Sequence, residues 1–446
     1  MIKKIRRWAA VALCAAMCIS GCSAKDGAEE PTKPADTETK KDKPQKKEKA
    51  YQKKLDMIKP SAYDNVMGLN LEEGTSLSII GKAEGVPYWD EVRSGAEQAV
   101  EDINDNLGYE GKKQVKVTYS APGTPDNVDE QVNILDEELA RYPAAVGIAI
   151  ADTQACEVQF DLAAESDIPV VAFDSGSDYQ GLMAMVSTDN RTAAREAAQR
   201  LAESVGEKGE IMLFIHDSKS ESAMSREQAF REELEANYPE IIIAEVYYMD
   251  RLSDMQERIA AEMNGESVGE GGETPDADGI AKEEGDNGEP AGGNGTQSEE
   301  AGNGEPQAQA AQDAGGTEVL ADGEAILADT ISEEEVIDYL FEKHPDIKGI
   351  YATNGDAVKR ALETLERNEA QASIIGFDAD EEELDALRDG RVDALVLQNP
   401  FGMGYAAVIA SARAALSMGN EAVVDTGYVW LTKESLEDEE IQKLLY

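Results

Sequence analysis

The chain has 446 residues, with 91 aspartates and glutamates against 41 lysines and arginines, for a formal net charge of −50. That balance excludes a nucleic-acid-binding protein, whose affinity comes from cations that neutralise phosphates. The two histidines, His216 and His344, lie far apart without a ligand pattern around them, so neither a metal site nor a cofactor is expected.

The chain opens with Lys3, Lys4, Arg6 and Arg7, followed by the apolar run "WAAVALCAAMCI" and then "SGC". The run is too short to span a bilayer as a mature helix and reads as the core of an export signal over residues 1–21. The string "ISGC" resembles a bacterial lipobox. That resemblance implies cleavage before Cys22 and a diacylglyceryl thioether on its sulfur; the plainer alternative is an ordinary secretory signal with a cysteine near the cut. Cys14 and Cys18 would leave with the signal, so Cys156 remains without a disulfide partner.

Residues 22–60 are rich in Lys, Glu, Pro and Thr and read as a solvated tether. Beyond it the pattern alternates between short apolar runs and amphipathic helices. Strand-like runs include "SLSII", "QVKVTYS", "AAVGIAIA", "IPVVAFD", "GEIMLFIH", "IIIAEVYYM", "IKGIYATN", "ASIIGFD" and "DALVLQ", with helical segments such as "NRTAAREAAQRLAESVG" between them. This alternation predicts an α/β protein built on mostly parallel sheets flanked by helices. Residues 265–328 interrupt it with Gly- and Glu-rich sequence of no periodicity, read as a disordered acidic insertion inside a domain. The remaining residues, roughly 300, suffice for two medium lobes.

Parallel sheets bind ligands outside the carboxyl ends of their strands. Polar residues recur there: Lys82 after "SIIG", Asp174 after "VVAF", Asn354 after "IYAT", Asp378 after "IIGF" and Gln398 closing "LVLQ". Arg226 opens the predicted helix "REQAFREELEANY", and Tyr88 and Trp89 stand between the first strand and its helix. Taken singly, Asp and Asn are ordinary caps and turn residues, and the two rings could be a staple at a helix start. As a set they suit a neutral polyhydroxylated ligand. Carboxylates accept its hydroxyl protons, Arg and Asn donate to its lone pairs, and an aromatic ring covers the C–H face of a sugar.

The ordered set "VPYW", "VVAFD", "STDN", "SAMSREQAF", "IYATNGDAV", "IIGFDAD" and "LVLQNPFGMGY" resembles the type I periplasmic sugar-binding proteins, the ribose- and galactose-binding group that serves ABC importers. The resemblance implies two similar Rossmann-like lobes joined by three crossings with the ligand in the cleft. Lobe 1 would comprise residues 75–188 plus 399–425, and lobe 2 residues 189–398 plus 426–446. It departs from the family pattern at Val86, where an asparagine is frequent, at Ser175, where ribose binders carry arginine, and at Met249, where they carry a stacking phenylalanine.

The resemblance further implies an extracytoplasmic, lipid-anchored monomer that captures a monosaccharide or similar polyol and presents it to ABC permease subunits. A sensory receptor signalling to a histidine kinase or chemoreceptor would use the same residues. Asp174 and Asp378 as the carboxylate pair of a glycosidase is the enzymatic alternative, and it is disfavoured because Lys82 and Arg226 should keep both ionised. The sequence carries no Ser-His-Asp arrangement, P-loop or GxGxxG element for other chemistry, so no enzyme is expected. If Cys22 is lipidated, Cys22→Ser should shift the protein from the membrane to the soluble fraction with its signal uncleaved, because two acyl chains are what make anchoring stable. Unchanged membrane retention and fatty-acid labelling would refute the lipobox reading.

Overall fold

The computed structural model describes residues 49–265 and 325–446. The signal segment 1–21, Cys22, the tether as far as residue 48 and residues 266–324 of the acidic stretch lie outside the described residues. The strands are β1 Ser76–Ile80, β2 Lys116–Ser120, β3 Val146–Ile148, β4 Val170–Phe173, β5 Met185–Ser187, β6 Gly209–Ile215, β7 Ile241–Tyr248, β8 Ile347–Ala352, β9 Ser373–Phe377, β10 Ala394–Gln398, β11 Val423–Asp425 and β12 Tyr428–Leu431. One sheet has the order β11-β5-β4-β3-β1-β2 and the other β12-β10-β9-β8-β6-β7. All neighbours are parallel except β12, which runs antiparallel to β10. The central strands are apolar on both faces because helices cover both sides, as the uninterrupted Val/Ile runs require.

The chain passes between the sheets three times. β5 leads into the helix Asn190–Ser204 on the second sheet, β10 into the helix Pro400–Ala415 on the first, and β11 directly into β12. These crossings are tied to one another: Thr426 N–H donates to Ser187 O at 2.9 Å, and Asn399 Nδ2 donates to Thr426 O at 2.9 Å.

Two boundaries differ from the sequence reading. The end of the tether is folded: Lys49–Pro60 contains the helix Gln52–Asp56, and Leu55 and Ile58 are buried in the first lobe's core with Tyr63, Leu69 and Leu71. Lys59 forms an antiparallel bridge with Asp425, and Asn399 Nδ2 reaches Lys54 O at 2.7 Å, so this segment lies against the crossings. Isolated apolar residues among lysines have no periodicity, which is why they read as solvated. At the acidic stretch, Asn264 and Ile326 exchange two hydrogen bonds of 2.9 Å, so the fold resumes before residue 328.

The helix Pro400–Ala415 is buried along nearly its whole length and lies against Pro87–Leu107, the helix that carries Tyr88 and Trp89. Their backbones approach closely. A Cβ on Gly95 would lie 1.9 Å from Phe401 O, and one on Gly404 would lie 1.9 Å from Val92 O. Exchanging glycine for alanine inside a helix ordinarily stabilises it by about 1 kcal/mol. Here the methyl would meet backbone, which cannot rotate aside. Gly404→Ala should therefore destabilise the protein by about 1–3 kcal/mol, a reversed sign measurable in thermal or denaturant unfolding.

Candidate functional site

The carboxyl ends of both sheets face a cavity of about 100 Å³. Lys82, Tyr88, Trp89, Asp174, Arg226, Asn354, Asp378 and Gln398 all line it. On the first lobe, Pro87 occupies the first position of its helix, which puts Tyr88 and Trp89 in the first turn rather than ahead of it. The rings meet edge to face at 5.1 Å, and Trp89 also meets Phe173 at 6.4 Å. Both belong to the lobe's hydrophobic cluster as well as to the cavity wall, so packing and cavity roles coexist. Tyr88 Oη donates to Asp174 Oδ1 at 2.8 Å, and Lys82 Nζ lies 3.3 Å from Asp174 Oδ2. Burial alone would lower the Lys82 ammonium, but Asp174, Asp126 and Asp217 hold it above the ordinary lysine value.

Asp174 and Asp378 occupy equivalent places, each just past the third strand from the crossing edge of its sheet. Both are left-handed, with φ of +60° and +72°. That conformation is uncommon for a residue with a Cβ, though Asp tolerates it better than most. Each amide still pairs with the neighbouring strand, Asp174 N–H with Val186 O at 2.9 Å and Asp378 N–H with Val396 O at 3.0 Å. Neither aspartate caps the following helix; on the second lobe Asp380 does so.

Arg226 lies in the second turn of the helix Glu221–Asn237, which starts at the Ser220 cap, five residues earlier than the sequence reading placed it. Its guanidinium stacks 4.1 Å from the Phe377 ring centroid. Nε donates to Asn190 Oδ1 at 2.8 Å, Nη1 to Thr353 O at 2.6 Å and Nη2 to Gln398 Oε1 at 2.9 Å. Gln398 Nε2 donates to Asp378 Oδ1 at 2.6 Å, and Gly355 N–H donates to Asp378 Oδ2 at 3.1 Å. Asn354 spends its side-chain oxygen on the cap of the helix Gly355–Arg367, accepting from Ala357 N–H at 2.8 Å. Burial pushes the Asp378 carboxyl up although Arg226, Gln398 and Gly355 oppose it. Arg226 thus favours the ionised carboxylate as expected, and desolvation, which no strand-end pattern shows, works against it.

Sequence reasoning missed His216, Asp126, Asp356, Asp380, Glu383 and Tyr446, which also line the cavity. His216 follows β6 as Lys82 follows β1, so the strand-end rule applied to "GEIMLFIH" would have found it. Its Nδ1 lies 2.7 Å from Thr353 Oγ1, and burial lowers its pKa to about 4 despite Asp217, leaving a neutral imidazole. Of the departures from the family pattern, Val86 faces the cavity. Ser175 turns away and donates to Ile150 O at 2.5 Å, and Met249 packs on the second lobe's core outside the cavity wall. Among the described residues no group of three or more His, Cys, Asp or Glu could hold a metal ion.

The comparisons with known proteins agree with this architecture. The model of the periplasmic binding protein domain matches residues 77–291 and 260–420, and the chain belongs to that family. A curated relative, the ribose import binding protein of Bacillus subtilis, is 32% identical over 76 residues, which are 17% of this chain and only 25% of that protein. A carbohydrate transporter solute-binding protein from Agrobacterium radiobacter, solved with D-arabinose, aligns over 83% of this chain and 99% of its own at 22% identity and a TM-score of 0.58. An ABC transporter solute-binding protein from Agrobacterium vitis, solved with D-fucose, aligns over 83% and 100% at 19% identity and a TM-score of 0.59. At these identities the solved structures establish the fold.

Glu383 supplies a test of the electrostatics. It is buried, accepts from Asp380 N–H at 2.6 Å, and is pushed up to about 9 by burial and by Asp380 and Asp378. The folded state therefore keeps a proton that the unfolded chain releases near the ordinary glutamate value. Its contribution is complete below that value and is lost as pH rises toward 9. Relative to Glu383→Gln, the wild type should lose up to about 1.4 kcal/mol of unfolding free energy per pH unit across this window. Parallel pH–stability curves for the two proteins would show that Glu383 titrates normally.

Proposed function

We propose that this protein is an extracytoplasmic solute-binding lipoprotein that closes its two lobes on a monosaccharide or similar polyol and delivers it to an ABC import permease. The observation that carries the reading is the pair Asp174 and Asp378. They come from opposite lobes, sit in the same unusual backbone conformation and line one cavity with Arg226 and two aromatic rings. Such a set can bracket a ring of hydroxyls, and closure then follows as a population shift, since both acids are engaged only when both lobes face the ligand. Solved relatives holding D-arabinose and D-fucose, and the short match to a ribose import protein, support a sugar as the ligand class.

Charge narrows the class. Asp126, Asp174, Asp356, Asp378 and Asp380 line the cavity against two cations, Lys82 and Arg226, both of which already face carboxylates or amide oxygens, while Glu383 keeps its proton and adds no charge. An anionic sugar would meet uncompensated repulsion, whereas a neutral one would not. Binding without turnover fits best, because Asp174 and Asp378 are each engaged by hydrogen-bond donors of their own lobe.

A thermal-shift screen should find neutral monosaccharides that raise the melting temperature, while sugar acids and sugar phosphates leave it unchanged. Trp89→Ala and Asp378→Ala should each weaken the best ligand by about 2–4 kcal/mol in calorimetry. Parent-like affinity in both variants, with melting lowered by several degrees, would assign these residues to packing and capping instead.

A further inference from the structure

Stacking in the cavity is one-sided if only the first lobe supplies rings. Tyr88 and Trp89 both come from lobe 1, and Met249 does not reach the wall. One other phenol lines the cavity: Tyr446, which follows the helix Glu439–Gln442. Its ring meets Tyr88 edge to face at 6.2 Å and packs against apolar residues of both lobes. The hydroxyl is buried, the Ala379 amide is turned toward it and the charges of Asp378, Glu383 and Asp380 act on it, yet its O–H reaches no acceptor within the protein. A buried hydroxyl without a partner is costly, and such groups normally have a protein, water or ligand partner.

We infer that Tyr446 is a ligand-contacting, specificity-determining residue: its ring forms the wall of the site facing Tyr88, and its hydroxyl pairs with a ligand oxygen beside Asp378. The inference rests on the proposal of sugar capture and extends it to a residue that no strand-end pattern marks. The phenol distinguishes ligands because a sugar lacking the hydroxyl that faces it leaves the Tyr446 O–H unpaired, whereas a phenyl ring would be indifferent to that loss.

Calorimetric titration of the full chain with D-ribose, D-arabinose, D-galactose and the 6-deoxy sugar D-fucose tests it, alongside Tyr446→Phe and Tyr446→Ala. Tyr446→Ala should weaken the tightest of these sugars by at least about tenfold, the scale of one lost aromatic contact. Tyr446→Phe, which retains the ring and the fold, should weaken it by a smaller factor and change the ratio of affinities among the sugars. Parent-like or tighter binding in both variants overturns the inference, tighter binding marking Tyr446 as an obstruction. Loss by one common factor for every sugar in both variants also overturns it, since a mere strut between lobes would act that way. If the wild type binds none of these sugars and no neutral monosaccharide or polyol raises its melting temperature, sugar capture itself is refuted, and the role of Tyr446 falls with it.

Discussion

A single carboxamide holds the centre of this molecule. Gln398 ends β10 at a crossing between the lobes, and its Oε1 accepts both from Thr188 Oγ1 at 3.0 Å and from Arg226 Nη2. Its Nε2 donates to Asp378. One side chain therefore joins the first crossing, the buried cation and the second lobe's strand-end acid. Arg226 is almost wholly buried, so its charge is tolerable only because Asn190, Thr353, Gln398 and the face of Phe377 surround it. Removing one member of such a network leaves a desolvated charge underserved, which costs about 1.5–3 kcal/mol, more than an exposed pair is worth.

The two lobes repeat one plan but divide the chemistry. Their sheets share a strand order, and each ends its third strand from the crossing edge in a left-handed aspartate. On the first lobe Asp174 is held by a phenol and an ammonium; on the second Asp378 is held by an amide side chain and a backbone N–H. Lys82 and His216 stand at matching strand ends, one charged and one neutral. Apolar surface is supplied by the first lobe through Tyr88 and Trp89, and directional donors by the second through Arg226 and Gln398. The two strand-end acids stand on opposite lobes, so a polyol bound to both must bring the lobes together, which gives closure a thermodynamic reason within the proposed function.

Much of this was legible in advance because the signals are local. Val/Ile runs flanked by turns mark buried parallel strands, and the residues that follow them lie at the carboxyl-end rim of the sheet whatever their identity. Strands β5 and β11, three residues each, were not read as strands; β3 is as short but stands in the longer apolar run "AAVGIAIA". Arg226 was placed in the right element but in the wrong turn, because the Ser220 cap lies ahead of the strongly helical stretch. Lys49–Pro60 read as tether since its few apolar residues are separated by lysines, and only the first lobe's core and the crossings explain their burial.

By itself the sequence determined the layered α/β architecture, the positions of the interruptions, and the set of polar and aromatic residues at strand ends. Those properties follow from periodicity and from the geometry of parallel sheets, which act over a few residues. Only the tertiary structure decided which of these side chains face the cavity and which are spent on their neighbours: the Asn354 oxygen on a helix cap, Ser175 on a strand carbonyl, Met249 on a core. It also decided that Tyr446, more than 350 residues from Tyr88 in sequence, shares a wall with it. It raised Asp378 and Glu383 and lowered His216 as well. Desolvation is a property of the assembled cavity, created when distant segments exclude water together, and no local pattern encodes it.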